Sequence, residues 1–193
     1  MKIKYLALLF IHSSLILGTN QKLNYTIRKA TMLDQDNLFI LYKRTAAIEG
    51  FLARSEDEIT HEYIHELLYN SIHNGLALIV EYNHMIIGSM IKYRFPFKAC
   101  PHVFTDGSIL IDPDFQRKGI GADLISTFLK EVEDNYPTIL RVEIITRESS
   151  PAIKLYERLG FKKEGYFEKR IIGINNQLEA GIPMVWLNPN FKQ

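Results

Sequence analysis

Apolar residues recur at helical spacing in three long stretches of the chain and follow strand patterns between them. Residues 24–28 read as a strand, and Thr31 or Asp34 can open a helix that runs to about Ile48. Residues 58–72 form a second helical pattern, with Ile59, Tyr63, Leu67 and Leu68 on one face, and Asn74-Gly75 ends it. Residues 76–82 and 85–95 are strands joined across Asn83-His84, a hairpin signal. Residues 104–111 form another strand. A long helix over 119–136 follows, with Ile120, Leu124, Phe128 and Val132 turned inward. A strand over 141–146, a short helix and a closing hairpin over 165–174 and 182–187 complete the order. Helices and strands mixed in this way predict an α/β (α+β) fold, with a largely antiparallel central sheet flanked by helices.

The junction between strand 104–111 and the long helix carries the clearest chemistry. It reads Ile109, Leu110, Ile111, Asp112, Pro113, Asp114, Phe115, Gln116, Arg117, Lys118, Gly119, Ile120, Gly121, Ala122. The first amides of a helix have no intrahelical partner, and its dipole adds roughly half a positive charge there, so such a start is an anion site. Gly119 and Gly121 let the backbone approach a ligand closely, and Arg117 and Lys118 add charge. A pyrophosphate suits this cradle. A P-loop would need Gly-Lys followed by Ser or Thr, and that triplet is absent. A dinucleotide fingerprint would need a third glycine at position 124, which is Leu. An acyl-CoA cradle is left unopposed.

Residues 148–161 supply a second signal, reading Glu-Ser-Ser-Pro-Ala-Ile-Lys-Leu-Tyr-Glu-Arg-Leu-Gly-Phe. Ser149 or Ser150 can cap a helix that starts at Pro151, and Gly160 can stop it. Ala152, Leu155, Tyr156 and Leu159 share a face, which turns Tyr156 inward with a hydroxyl that needs a partner. With these two segments the chain resembles the GNAT (Gcn5-related N-acetyltransferase) superfamily. The pyrophosphate motif Gln/Arg-x-x-Gly-x-Gly/Ala looks matched by Gln116, Gly119 and Gly121, and Leu-Tyr-Glu-x-Leu-Gly-Phe by residues 155–161. The resemblance covers roughly residues 24–190 in element order. It departs seven residues before the tyrosine, where the family often has Asn and this chain has Ser149.

The resemblance implies that the strands ending at 111 and starting at 141 splay apart to admit pantetheine. It also implies acetyl-CoA as cosubstrate, an amine acceptor as second partner, and cofactor contacts from Ile109 to Ile111, Gln116 to Ala122 and Ser149. Tyr156 takes the place of the family's usual general acid. A phenol near pKa 10 and a thiol near 8.5 make full proton transfer to the leaving thiolate uphill by roughly 2 kcal/mol, so donation of a hydrogen bond to sulfur is its expected role. Removing a proton from the attacking amine costs about 4.6 kcal/mol for a lysine side chain at pH 7 and about 1 for an α-amine. Glu143, Asp106 and His102 are the candidate bases. Glu143 is expected to line the cleft from a strand covered on both faces. Residues 49–61, which the resemblance makes one wall of the acceptor site, contain Arg54, a candidate partner for an acceptor carboxylate.

Composition narrows the remaining classes. With 193 residues and 47% hydrophobic content, one domain with a full core is expected, covering residues 23–193. A net charge of +1 gives no support for nucleic-acid or general membrane affinity. The single cysteine, Cys100, excludes an internal disulfide. His61 and His65 lack an evident third ligand, so no metal is expected. Residues 1–22 stand apart: Lys2 and Lys4 precede an apolar stretch broken by His12, Ser13 and Ser14, a signal-like extension too short for a confident membrane span. A cytoplasmic location is expected because acyl-CoA is found there, with export or tethering through residues 1–20 as the alternative. The expected activity is acetylation of a primary amine of a small molecule or protein N-terminus. The alternative is a non-catalytic acyl-CoA sensor, and homodimerisation is compatible with either.

Overall fold

A computed structural model describes residues 23–193 of the chain, so the expected extension over 1–22 lies outside the described residues. Strand β1 (Thr26–Lys29) leads to helices α1 (Gln35–Ala46) and α2 (His61–Asn74). Strands β2 (Gly75–Tyr82), β3 (Met85–Arg94) and β4 (Val103–Ile111) follow, then α3 (Ile120–Asn135) and β5 (Arg141–Arg147). The chain ends with α4 (Ile153–Arg158), β6 (Lys162–Lys163), β7 (Phe167–Ile172) and β8 (Leu178–Leu187). All strands join one eight-stranded sheet in the order β1-β2-β3-β4-β5-β8-β6, with β7 also on β8. Every pair is antiparallel except β4–β5.

Each face of the sheet has its own core. Ile120, Leu124, Phe128 and Val132 of α3 pack with Val142 and Ile144 of β5 on one face, as their helical spacing requires. Leu38, Leu41, Ile64 and Leu68 of α1 and α2 pack with Ile79, Ile91 and Leu110 on the other. The β2–β3 turn at Asn83-His84 has positive φ at both residues (48° and 62°), which a two-residue hairpin of this kind demands.

The element boundaries shift where local hydrogen bonds compete. Residues 56–58 form a separate 3-10 turn, because Ser55 and Glu58 bond reciprocally, with Ser55 N donating to Glu58 Oε2 at 2.8 Å. Helix α2 therefore begins at His61, capped by Thr60, whose Oγ1 accepts from Tyr63 N at 3.0 Å. The short helix begins at Ile153 rather than Pro151. Ser150 instead closes a turn, its carbonyl accepting from Ile153 N at 3.3 Å.

The β4–β5 pair is where the sheet opens. It is paired only at Val103↔Arg141 and Phe104↔Val142, after which the strands diverge. The cause lies in β4. Its register against β3 slips between Tyr93 and Arg94, and Gly107 adopts φ +116°, with its α-carbon so close to the Ile91 carbonyl that a side chain cannot fit. A bulge followed by a glycine of this conformation bends a strand away from its neighbour.

Candidate active site

The far end of diverging β4 runs directly into the glycine turn. Asp112 closes that turn, its Oδ1 accepting from Asp114 N at 3.0 Å, and Phe115 N donates to Asp112 O at 2.9 Å. Gln116 reaches back, its Nε2 donating to Ile111 O at 3.0 Å, and Lys118 Nζ donates to Asp114 O at 2.9 Å. Gln116 and Lys118 thus brace the loop. The Arg117 side chain is exposed.

Gly119 caps α3 in the left-handed region (φ +85°, ψ −13°) and offers no side-chain cap. Its carbonyl takes the amides of Ala122 and Asp123 at 3.0 and 3.1 Å. Among the described residues, the amides of residues 117–121 have no acceptor. A Cβ built on Gly119 would meet nothing within 4 Å, so the α-carbon faces open space. Ile120 is buried and anchors the helix start in the core. Ile109 and Ile111 pack on the α3 side and Leu110 on the α1–α2 side, leaving the β5-facing edge of this stretch unpaired.

Arg44, near the end of α1, holds the turn from the opposite side. Its Nη1 lies 3.2 Å from Asp112 Oδ2 and its Nη2 lies 2.8 Å from Asp114 Oδ2, while Asp112 is only 3% exposed. Arg44→Ala is expected to raise the KM for acetyl-CoA about fivefold with kcat within twofold, because preorganisation of the loop is lost and not the chemistry. Stability should fall by about 1–3 kcal/mol as Asp112 loses its partner. Steady-state kinetics and urea melts check both.

Tyr156 projects from α4, its ring 5.8 Å from that of Phe161, in the apolar layer beside α3. Burial pushes its phenol up to about 12. Its hydroxyl bonds to no other described residue, and burial alone accounts for the raised phenol. Ser149 is instead tied to Glu179, its N–H donating to Oε2 at 3.1 Å. Hydrogen bonding from Ser149, its side chain more than this backbone N–H, holds the Glu179 carboxyl below its usual range.

The candidate bases are dispersed. Glu143 stands just beyond the last paired row of β4–β5 and accepts from Arg141 Nε at 2.9 Å, and Arg141 also pairs with Glu164. Its strand is not covered on both faces. Helices α1 and α2 pack on β2, β3 and β4, and Ile145 on the same face as Glu143 is 51% exposed. Asp106 lies in β4 opposite Tyr93. His102 sits at the closed end of the cleft, its carbonyl accepting from the amides of Leu140 and Arg141.

Arg54 has its charge engaged already, stacked 4.3 Å over Tyr63 and 3.8 Å from Glu58. His61 stacks on Phe39 at 3.8 Å, and His65 meets Gln35 at 2.9 Å. Sequence reasoning missed Arg44, whose role depends on a contact 68 residues away, and Gly107, whose isolated position in a strand was the available signal.

Comparison with known proteins agrees with this geometry. Residues 73–163 match the model of the acetyltransferase (GNAT) domain. The [ribosomal protein bS18]-alanine N-acetyltransferase of Salmonella typhimurium is 39% identical over 56 residues, 29% of this chain and 37% of that protein, so the match spans well under half of this relative. An N-alpha-acetyltransferase of Saccharolobus solfataricus is 28% identical over 160 residues, 75% of this chain and 86% of that protein. A GNAT superfamily phosphinothricin acetyltransferase from Sinorhizobium meliloti, solved in complex with acetyl-CoA, superposes with a TM-score of 0.73 at 18% identity, over 87% of this chain and 90% of that one. A domain model matched over residues 73–163, a diverging β4–β5 pair and a glycine-capped α3 at its mouth together make this chain similar to the GNAT acetyltransferases.

Proposed function

We propose that this protein transfers an acetyl group from acetyl-CoA to a primary amine, with the α-amine of a protein or peptide N-terminus as the preferred acceptor class. The observation that carries this reading is the run of amides at 117–121 with no acceptor among the described residues, set at the open end of the β4–β5 cleft. These amides and the α3 dipole hold the diphosphate, while Arg117 and Lys118 add charge beside it. The unpaired edge of Ile109 to Ile111 offers backbone donors to the pantetheine and to the oxygen on which charge develops. The surface of α4 that carries Lys154, Leu155 and Arg158 suits the nucleotide end.

Tyr156 donates a hydrogen bond to the departing sulfur. With its phenol near 12 against a thiol near 8.5, full transfer is uphill by about 5 kcal/mol, more than the sequence-based figure, so stabilisation by donation is its role. Glu143, paired with Arg141, takes the amine proton through water. One half-buried carboxylate held in an ion pair is a weak base. That favours an α-amine, which loses its proton at a cost of about 1 kcal/mol, over a lysine side chain at about 4.6. The relatives named as a [ribosomal protein bS18]-alanine N-acetyltransferase and an N-alpha-acetyltransferase support the same reading.

Free thiol followed after mixing protein, acetyl-CoA and a panel of peptides, lysine derivatives and polyamines tests the proposal. Thiol release with peptide α-amines is the expected result. Tight acetyl-CoA binding without release across the panel would establish the sensor instead.

A further inference from the structure

The face of β5 and β8 that carries Glu143 has a second cationic feature beyond Arg141. Arg147, at the end of β5, stands opposite Gly181 of β8, and residues opposed in register project to the same face. A Cβ built on Gly181 would lie 3.0 Å from Arg170 Cδ and 3.4 Å from Ile145 Cγ2. Gly181 is therefore the floor on which Arg170 and the exposed Ile145 pack, beside Arg147 on the same face.

Two loops close over this floor. The α1–α2 loop packs Gly50 directly on the Arg147 guanidinium, where any side chain would collide with it. Glu49 of the same loop accepts from Asn175 N in the β7–β8 turn at 2.7 Å. Arg147 Nη1 is buried beneath them with no hydrogen-bond partner among the described residues.

The nearby carboxylates are committed elsewhere. Glu49 holds Asn175, Glu179 holds Ser149, and Glu148 accepts from the Tyr166 hydroxyl at 3.2 Å. Glu179 feels the Arg147 charge, but as the weakest of the influences on it. Arg28, Arg44, Arg54 and Arg141 all have carboxylate partners, whereas no ion pair engages Arg147 or Arg170 among the described residues. Arg170 rests on the Phe167 ring at 4.9 Å. A buried guanidinium N–H without an acceptor is costly, and a carboxylate is the ligand that its planar donors fit best.

We infer that Arg147 and Arg170, flanking Gly181 under the α1–α2 loop, bind a carboxylate carried by the amine acceptor. The inference rests on the acetyl-transfer reading above, and it gives Arg147 the role that sequence analysis gave Arg54. Glu143 and Arg147 lie about 13 Å apart along the strand. An extended two- or three-residue peptide, about 7–10 Å long, reaches from an amine beside the thioester toward that pair.

The free acids and C-terminal amides of alanine, di-alanine and tri-alanine form matched pairs that differ in this one charge. Calorimetric binding to the protein saturated with coenzyme A is expected to favour the free acid of di- or tri-alanine at least tenfold over its amide. In Arg147→Gln the discrimination falls to within twofold, and Arg147→Lys recovers part of it. An acid-to-amide ratio within twofold at all three lengths in the unaltered protein overturns the inference, and that comparison needs no variant to fold. A full preference retained in a folded Arg147→Gln overturns it as well. Thiol release is read separately: selective binding with no release defeats the acetyl-transfer reading, while release without acid selectivity defeats this one.

Discussion

Replacing Gly119 with isoleucine is expected to weaken acetyl-CoA binding at least a hundredfold while the protein still folds. The left-handed conformation at φ +85° costs a side chain about 1–2 kcal/mol, and more for a β-branched one, which a domain of this size tolerates. The α-carbon faces open space, so no packing clash adds to that cost. The loss falls on the ligand. An isoleucyl side chain would occupy the volume in front of the free amides, and each hydrogen bond to a charged oxygen contributes about 1.5–3 kcal/mol. Losing two of them gives about 3–6 kcal/mol, or a factor of more than 100 in affinity. Calorimetry with acetyl-CoA, alongside a thermal melt, measures both parts. Affinity within threefold of the unaltered protein would show that the diphosphate is held elsewhere.

Tyr156→Phe is expected to lower kcat about a hundredfold with the KM for acetyl-CoA changed by less than threefold, because the lost donor acts on charge that develops only during reaction. The pH profile gives a second readout. Burial raises the Tyr156 phenol from 10 to about 12, so the folded state binds this proton more tightly than the unfolded one. Its contribution to stability is fully present below pH 10 and is lost as pH rises through about 12. Activity should therefore rise as the amine deprotonates and hold a plateau to about pH 10, with no fall from tyrosine ionisation. The Phe variant should keep that shape at a lower plateau. A descending limb centred near pH 10 that vanishes in Tyr156→Phe would show a phenol with an ordinary pKa, and unchanged turnover would remove Tyr156 from the mechanism.

Much of the fold was legible in the sequence because each long element carries its own period. The α3 face of Ile120, Leu124, Phe128 and Val132, the Asn83-His84 turn and the strand leading into Gly119 all follow from local spacing and turn chemistry. The glycine-capped start of α3 could be read for the same reason, since a helix start and its glycines are contiguous. The start of α2 was misread because the Ser55–Glu58 reciprocal bonds imitate a helix start three residues early. Coverage of Glu143 was misjudged for a different reason: alternation tells which residues share a face and is silent on which strands the helices will cover.

The chain's sequence by itself therefore determined the element order, the glycine turn that opens α3 and the helical face that turns Tyr156 toward the core, all set by interactions within a few residues. Only the tertiary structure decided that β4 leaves β5 after Phe104, that Arg44 clamps the turn at Asp112, and that Gly50 lies over Arg147 while Arg54 is spent on Tyr63 and Glu58. Those outcomes depend on which distant segments meet. A guanidinium takes the carboxylate or the aromatic face that packing brings to it, and no local pattern records that choice.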